Sequence, residues 1–504
     1  MPVNAPQTTV RRPAVTTPLR ILAEQAFSRA AGAPLVGGNS VRVLKDADEN
    51  FPAWLDAIRS ARHKIFFEHY IVADDEVGRE FVAALAERAR AGVHVYAIHD
   101  WFGDLGVARS RLWRPLVEAG GMVRCFNPPR LDSPFGWLTR DHRKLIAVDG
   151  AVAFVSGLCV SRKWVGDRTR GIDPWRDTGI ELRGPAVADM EEAFAQVWGA
   201  MGDVLDPGDL TPPSGIPAAG DVTLRVLATI PSMAGLYRLD QLIAAMATRT
   251  LWLTDAYFVG VSPYVQALRA AALDGVDVRL LVPGTSDVPW VSRVSRAGYR
   301  SLLEAGIRVF EWNGPMLHAK TAVADGRWAR VGSTNLNIAS WLGNYELDAV
   351  VEDTNFAAQM EQMYLRDLQH STEVVLTERR RVRAPGQPRR PVRPMARGAG
   401  STNAVAAGAL RFGNAVGAVL SRRVLGPVEA NLAMVVGLCL CASAVLIALF
   451  PRVLAYPAAA IGLWTGAAFI RRGFEMQSTP DAHNAPQQQA RTTTDSKARD
   501  VAEA

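Results

Sequence analysis

This chain of 504 residues contains the same short motif twice, at two distant places. Each copy can place an imidazole beside an ammonium group. Both read His-x-Lys-x4-Asp. Their fixed positions are His142, Lys144 and Asp149 in the first copy and His318, Lys320 and Asp325 in the second. The copies stand in separate halves of a chain that has only 8 histidines. A single match of this kind would be weak, but two matches in register predict a functional site.

Two such motifs allow exchange of a phosphodiester without a metal ion or cofactor. One imidazole attacks phosphorus to form a covalent phosphohistidine, while the other, protonated, gives its proton to the leaving alkoxide. The lysines supply fixed positive charge to the phosphoryl oxygens. Each motif runs into a small-residue turn, which contains Gly157 in the first copy and Ser333 and Asn335 in the second. We predict that the Ser333 hydroxyl and the Asn335 amide donate to the same phosphoryl oxygens.

Two acidic residues are candidates for orienting the histidines. An imidazole used as a nucleophile needs an acceptor that holds its other ring nitrogen. Asp177 and Glu346 each open a strand-like run downstream of the histidine of their own half. We interpret them as the orienting carboxylates. The alternative is that they are ordinary surface or helix-capping acids.

The elements around the motifs repeat as well. A strand, an amphipathic helix and a second strand are predicted over residues 64–72, 76–92 and 93–100. The same series returns over residues 250–259, 263–273 and 276–284. The two helices end on glycines at equivalent places, Gly92 and Gly275. Strands alternating with helices predict two α/β halves with parallel pairing. Alternation within each motif places its His and Lys on one face of an extended segment.

These motifs resemble those of the phospholipase D superfamily and, within it, the bacterial cardiolipin synthases. The resemblance covers residues 46–376 and rests on five segments in family order: FFEHYIVADDEVGREF, DHRKLIAVDG, PWRDTGIELRGPAV, LHAKTAVADGRWARVGSTNLN and NYELD. It implies catalytic roles for all six motif residues and metal-independent phosphatidyl transfer at one shared site. It assigns the nucleophile to His142 and the acid to His318, although pseudo-symmetry lets either imidazole serve.

Two features depart from the family pattern. Cys159 stands where the first-half motif usually has Asn, which the second half keeps as Asn335. Phosphate contacts on the Cys159 side are therefore expected to be weaker. The apolar region of this chain is C-terminal, whereas the family more often has N-terminal anchors, and this leaves the acceptor alcohol open.

The predicted fold is α/β, with two pseudo-symmetric phospholipase D-like α-β-α sandwich domains that share one active site, plus a C-terminal membrane helical hairpin. The predicted boundaries are an N-terminal extension (1–40), the first domain (41–205), a linker (206–221), the second domain (222–377), an Arg/Pro-rich basic linker (378–428), the hairpin (429–472) and a disordered tail (473–504).

Two uncharged runs, 432–450 and 453–470, predict the hairpin because each is long enough to cross a bilayer. Arginines flank both ends, so the positive-inside rule places the ends and the catalytic body on the cytoplasmic side of a bacterial inner membrane. A re-entrant hairpin and a buried pair of helices are the alternatives.

The positive charge of the chain is concentrated in one tract. Residues 379–428 hold eleven arginines and no Asp, Glu or Lys. Subtracting that +11 from the whole-chain charge of +6 leaves −5 for the rest. The tract predicts contact with anionic lipid headgroups, with a solvated linker as the alternative. Because the remaining chain is acidic, no nucleic-acid partner is expected. The oligomeric state stays open.

The predicted function is phosphatidyl transfer between phospholipids, with phosphatidylglycerol as the expected substrate and cardiolipin and glycerol as products. Such an exchange is nearly thermoneutral, and the sequence has no nucleotide-binding motif, so no cofactor is expected. Three alternatives remain: hydrolysis to phosphatidic acid, transfer to another small alcohol, and a catalytically inactive membrane adaptor.

Overall fold

The computed structural model describes residues 18–105, 111–129, 139–376 and 382–383, and six positions between 456 and 467. The predicted basic linker, membrane hairpin and tail lie outside these residues, apart from those few positions. No helix among the described residues is long and apolar enough to cross a bilayer.

The helices and strands of the first half are α1 Pro18–Ala31, β1 Val36–Lys45, α2 Asp46–Ser60, β2 Lys64–His69, α3 Glu76–Arg90, β3 His94–Asp100, α4 Arg114–Glu118, β4 Met122–Phe126, β5 Lys144–Val148, β6 Val152–Ser156, α5 Arg162–Val165, β7 Thr178–Arg183 and α6 Val187–Ala200. Those of the second half are β8 Val222–Thr229, α7 Gly235–Met246, β9 Thr250–Thr254, α8 Ser262–Leu273, β10 Asp277–Pro283, α9 Pro289–Leu303, β11 Arg308–Trp312, β12 Thr321–Ala324, β13 Trp328–Gly332, β14 Glu346–Glu352, α10 Thr354–Gln369, β15 Ser371–Leu376 and β16 Val382–Arg383. The six elements predicted from the repeat are all present, with shorter strands.

One sheet of 16 strands runs through both halves, in the order β16-β15-β11-β10-β9-β12-β13-β14-β8-β1-β7-β6-β5-β2-β3-β4. Outward from the central β1–β8 pair, the order of strands in one half repeats that in the other. The repeat in the sequence is therefore a pseudo-twofold repeat in space. Both halves belong to one compact unit.

The pairing within each half is mixed, whereas parallel pairing was predicted. Strands β2, β3 and β4 are parallel, as are β9, β10 and β11. The motif strands β5 and β12 instead run antiparallel to their neighbours. A tight turn after each motif strand folds the next strand back beside it, and in this turn Asp149 and Gly150, or Asp325 and Gly326, take positive φ. An Asp-Gly pair with both φ values positive is typical of a type I′ hairpin turn.

Helices cover both faces of the sheet. Adjacent side chains of β2 point to opposite faces, so Phe66 packs against Phe194 of α6 and Phe67 packs against Phe81 of α3. The core on the α6 side draws residues from both halves, whereas the opposite face has two cores, one built mainly from the first half and the other mainly from the second. This layering fits the predicted α-β-α arrangement.

Candidate active site

Backbone hydrogen bonds between the halves bring the two motifs to one place. The His142 amide donates to the Tyr345 carbonyl over 2.9 Å, next to Glu346 at the start of β14. The His318 amide donates to the Arg176 carbonyl over 2.7 Å, next to Asp177 at the start of β7. Each histidine is therefore fixed against the strand entry of the other half.

The orienting carboxylates are consequently exchanged between the halves. His142 Nδ1 lies 2.9 Å from Glu346 Oε2, and His318 Nδ1 lies 2.9 Å from Asp177 Oδ2. The prediction that these acids contact the histidines is confirmed. The pairing of each acid with the histidine of its own half is wrong, because the interdomain backbone bonds decide which carboxylate each ring meets.

The site is almost closed to solvent. His142 and His318 are 3% and 5% exposed, and both carboxylates are fully buried. Lys144 and Lys320 each donate to the carbonyl of the histidine two residues earlier. The Lys320 ammonium also lies 2.9 Å from His318 Nδ1 and 3.1 Å from Nε2. Two imidazoles and two ammonium groups thus share one buried space, which suits an anionic substrate.

Burial and the two lysines keep both imidazoles neutral. Burial, then the charges of Lys144 and Lys320, hold the pKa of His142 well below its ordinary value. Burial and the Lys320 charge lower the pKa of His318 to about 4. Burial and repulsion from Lys144 lower the pKa of Lys320 to about 8, against the pull of Asp177.

The two carboxylates differ in acidity. Burial would raise the pKa of Asp177, but the hydrogen bond from His318, the surrounding positive charge and the Trp164 indole hold it below its ordinary value. Burial raises the pKa of Glu346 to about 7, although Lys144 and Ser333 partly oppose the rise. Asp177 is therefore ionised at neutral pH, while Glu346 is near its midpoint.

The same carboxylates also have different second donors. Trp164 Nε1 donates to Asp177 Oδ2 over 2.9 Å, and Ser333 Oγ donates to Glu346 Oε2 over 2.6 Å. Ser333 was predicted to contact phosphate directly, but its proton is already given to Glu346. Gly157 allows Asp177 to approach closely, because an added Cβ would lie 2.2 Å from Asp177 Oδ1.

The phosphate-contacting role of Asn335 stays a prediction, and the surroundings of its side chain are compatible with it. Its side chain is fully buried, and neither amide atom has a hydrogen-bond partner among the residues that the structure describes. A buried unpaired amide is costly unless a ligand satisfies it. The corresponding residue of the first half, Cys159, is also buried, and burial raises the pKa of its thiol. A phosphoryl group would meet an amide on one side and a neutral thiol on the other.

The motif aspartates lie apart from this chemistry. Asp149 follows the far end of β5 and accepts hydrogen bonds from the backbone amides of Arg62, His63 and Lys64 over 2.7–2.8 Å. Asp325 likewise accepts from the amides of three successive residues before β9, Thr248, Arg249 and Thr250. The resemblance implied catalytic roles for both aspartates. The structure instead places them in the turns that hold the motif strands against β2 and β9.

We expect Asp149→Asn to lower stability rather than turnover. Asn tolerates the positive φ but offers one acceptor oxygen to three amides, which should cost about 1–2 kcal/mol and several degrees in Tm. The kcat of folded enzyme should stay within about threefold. Thermal unfolding and kcat, measured beside an Asp274→Asn control on the exposed end of α8, test this. A large loss of kcat at unchanged Tm would instead show that Asp149 has a catalytic role.

Aromatic side chains close the site, and sequence reasoning missed them. The Tyr70 ring is centred 4.8 Å from the His142 ring. The rings of Trp164, Trp175 and Tyr257 are centred 5.3–5.7 Å from that of His318. Two tryptophans in the segment leading to Asp177 were the available signal, since buried indoles usually donate to a polar partner. Within the described ranges, no group of three or more His, Cys, Asp or Glu could hold a metal ion.

Comparison with known proteins gives a consistent set of relatives. The family model described as "Cardiolipin synthase, PLD-like domain" matches residues 240–368. Cardiolipin synthase A of Pseudomonas fluorescens is 33% identical over 369 residues, 71% of this chain and 74% of that protein. Cardiolipin synthase of Halalkalibacterium halodurans is 33% identical over 69% of each chain. The crystal structure of phosphatidylserine synthase from Haemophilus influenzae, at 14% identity, aligns with 70% of this chain and 92% of that one at a TM-score of 0.56, a likeness of fold.

Proposed function

This chain belongs to the cardiolipin synthase family of the phospholipase D superfamily and is a phosphatidyltransferase, and we propose that it converts two phosphatidylglycerol molecules into cardiolipin and glycerol. The observation that carries the proposal is the pair of crossed histidine–carboxylate contacts, 2.9 Å each, in one buried space with two lysines. In that arrangement two imidazoles, each able to accept or donate a proton, surround the place that one phosphoryl group would occupy.

In the proposed first step, His142 Nε2 attacks the phosphorus of phosphatidylglycerol. The P–N bond forms as the P–O bond to glycerol breaks, and His318 gives its proton to the departing alkoxide. In the second step, the now neutral His318 takes the proton from a hydroxyl of a second phosphatidylglycerol. That oxygen attacks phosphorus, the P–N bond breaks, and cardiolipin leaves with both imidazoles restored.

The different carboxylates support this division of roles. A nucleophile must be neutral, and Glu346, accepting from Nδ1, leaves the lone pair of His142 on Nε2. A general acid must carry a proton, and the ionised Asp177 stabilises the imidazolium form of His318. The charges of Lys144 and Lys320 oppose that protonation before substrate binds. A phosphodiester anion offsets those charges, so we infer that substrate binding raises the pKa of His318.

The phosphoryl oxygens are stabilised by groups of the chain itself. Lys144 and Lys320 supply positive charge, and the Asn335 amide, which has no partner among the described residues, is a fixed donor on the second-half side. In a site closed to bulk water these charges act more strongly than at a surface. The phospholipid substrates place the reaction at a membrane. We propose, as the sequence predicts, that the C-terminal hairpin anchors the enzyme and that the body faces the cytoplasm.

The products test the proposed function. Purified enzyme incubated with phosphatidylglycerol vesicles should yield cardiolipin and glycerol in equal amounts, measured by mass spectrometry. His318→Ala should yield neither. Phosphatidic acid with glycerol would identify a hydrolase instead. Glycerol release that needs an added small alcohol would show transfer to a different acceptor, and no glycerol from the wild type would overturn the proposal.

Acidification should inactivate the enzyme through Glu346, whose pKa is raised to about 7. Below that pH the protonated carboxyl donates to His142 Nδ1 and moves the ring proton to Nε2, the attacking nitrogen. We expect kcat/KM to fall about tenfold per pH unit below 7. Glu346→Gln should be slower at pH 8 and lack this limb, whereas Asp177→Asn should keep it. An unchanged acid limb in Glu346→Gln would contradict the assignment.

A further inference from the structure

The segments that follow the two motif hairpins differ in length and charge. Residues 157–177 connect β6 to β7, whereas the shorter stretch 333–345 makes the equivalent connection between β13 and β14. The longer one contains four basic and two acidic residues within 162–173; the shorter one contains none. The second half reaches the same fold without the extra residues, so the fold itself does not require them.

This segment, residues 162–173, presents aliphatic side chains to solvent beside its basic residues. Val165 is 39% exposed and Ile172 is 46% exposed. Their backbones lie close together, because Gly166 packs against the Ile172 carbonyl so closely that an added Cβ would lie 2.5 Å from it. Arg170 is exposed as well, and so is Arg162, which forms a solvent-exposed ion pair with Glu76 over 3.1 Å. Paired aliphatic and basic side chains at a surface are typical of contact with anionic membranes.

The segment is also well ordered by its own bonds. Asp167 and Ile172 exchange backbone hydrogen bonds over 2.7 and 2.9 Å, and the Asp167 carboxylate accepts from Thr169 and Arg170. At its start, the Arg162 amide donates to Asp75 at the N-terminus of α3. The exposed apolar pair is therefore held out from the body rather than left to collapse onto it.

The same segment reaches the catalytic histidine. Trp164, one residue before Val165, is buried, donates to Asp177, and sets its ring 5.3 Å from that of His318. A surface rigidly tied to His318 is well placed to set the depth at which a lipid headgroup meets the site.

We propose that residues 162–173 dock the catalytic body onto an anionic phospholipid surface, with Val165 and Ile172 entering the headgroup layer and Arg162 and Arg170 contacting lipid phosphates. The identity of the lipid as substrate rests on the proposed function; the docking surface itself does not. Insertion of Val165 and Ile172 into an apolar layer distinguishes this docking surface from a nucleic-acid site, in which the two side chains would have no apolar partner.

The test compares two forms of phosphatidylglycerol with the full chain reconstituted in phosphatidylcholine vesicles. One form is long-chain and resides in the bilayer; the other is short-chain and monomeric in solution. The readout is glycerol release, which transfer and hydrolysis share. The double variant Val165→Asp/Ile172→Asp should release glycerol from the bilayer form at least about tenfold more slowly and from the monomer within twofold of wild type. Arg170→Ala should slow the bilayer reaction about fivefold at low salt.

The matched control is Leu273→Asp, which changes an aliphatic residue 72% exposed at the end of α8 and should alter neither rate. Equal losses on both substrates in the double variant, or no loss on either, would overturn the docking proposal. The docking proposal would also be overturned if DNA competed with vesicles for binding and Arg170→Ala removed that competition. No glycerol from the wild type in either form would overturn the proposed function instead. Protection of the exposed Arg170 peptide bond from trypsin by phosphatidylglycerol vesicles, present in the wild type and lost in the double variant, would then test docking alone.

Discussion

His142→Asn should form no phosphoenzyme, whereas His318→Asn should form one and be unable to discharge it. Both variants should lose about 10⁴-fold or more in turnover of phosphatidylglycerol, because the nucleophile and the acid act as a unit. A substrate with a p-nitrophenyl leaving group separates them. Nitrophenolate departs without a proton, so His318→Asn should release one nitrophenolate per enzyme and stop, lacking a base for the acceptor hydroxyl. His142→Asn should release none.

The contrast depends on the asymmetry of the two carboxylates. Asp177, whose pKa is lowered, stabilises the imidazolium form of His318. Glu346, whose pKa is about 7, stabilises the imidazolium form of His142 less strongly. Acid-labile label from phosphorus-labelled substrate should accordingly appear on His142 in the His318→Asn variant. A burst in His142→Asn alone would reverse the roles. The absence of a burst from both variants would point to direct displacement without a covalent intermediate.

The sequence predicted much of the fold because the repeat exposes it. The strand, helix and strand before each motif keep their predicted places, since apolar periodicity reflects burial directly. The antiparallel motif strands were missed although Asp-Gly, at Asp149–Gly150 and Asp325–Gly326, is a strong hairpin signal. The family resemblance implies a chemical role for these aspartates, whereas the Asp-Gly pair itself predicts a turn.

The residues of the site were predictable, but their partners were not. Ser333 lies where a phosphate donor is expected, yet Glu346 takes its proton. The crossed contacts depend on backbone bonds between segments in opposite halves of the sequence, such as His142 to Tyr345. No local pattern encodes such bonds, because they follow from how β7 and β14 enter the sheet beside the other half.

The crossed contacts predict that carboxylate variants resemble the histidine of the opposite half. Asp177→Asn should lower turnover of phosphatidylglycerol by up to about 10⁴-fold, the scale seen when an aspartate that orients a catalytic histidine is neutralised. With the nitrophenyl substrate it should keep the burst, as His318→Asn does. Glu346→Gln should lose the burst, as His142→Asn does, although Glu346 lies in the sequence half of His318.

Pairing within each half would give the opposite pattern, with the burst lost in Asp177→Asn and kept in Glu346→Gln. Asp149→Asn provides the control, because Asp149 lies in the same half as His142 but its carboxylate accepts from the backbone amides of residues 62–64. It should show a normal burst and normal second step.

A double variant adds a further check, because groups in one contact lose function non-additively. Adding Glu346→Gln to His142→Asn should therefore lower the remaining turnover only slightly. Adding Asp177→Asn to His142→Asn should lower it further, because His318 still acts in that variant.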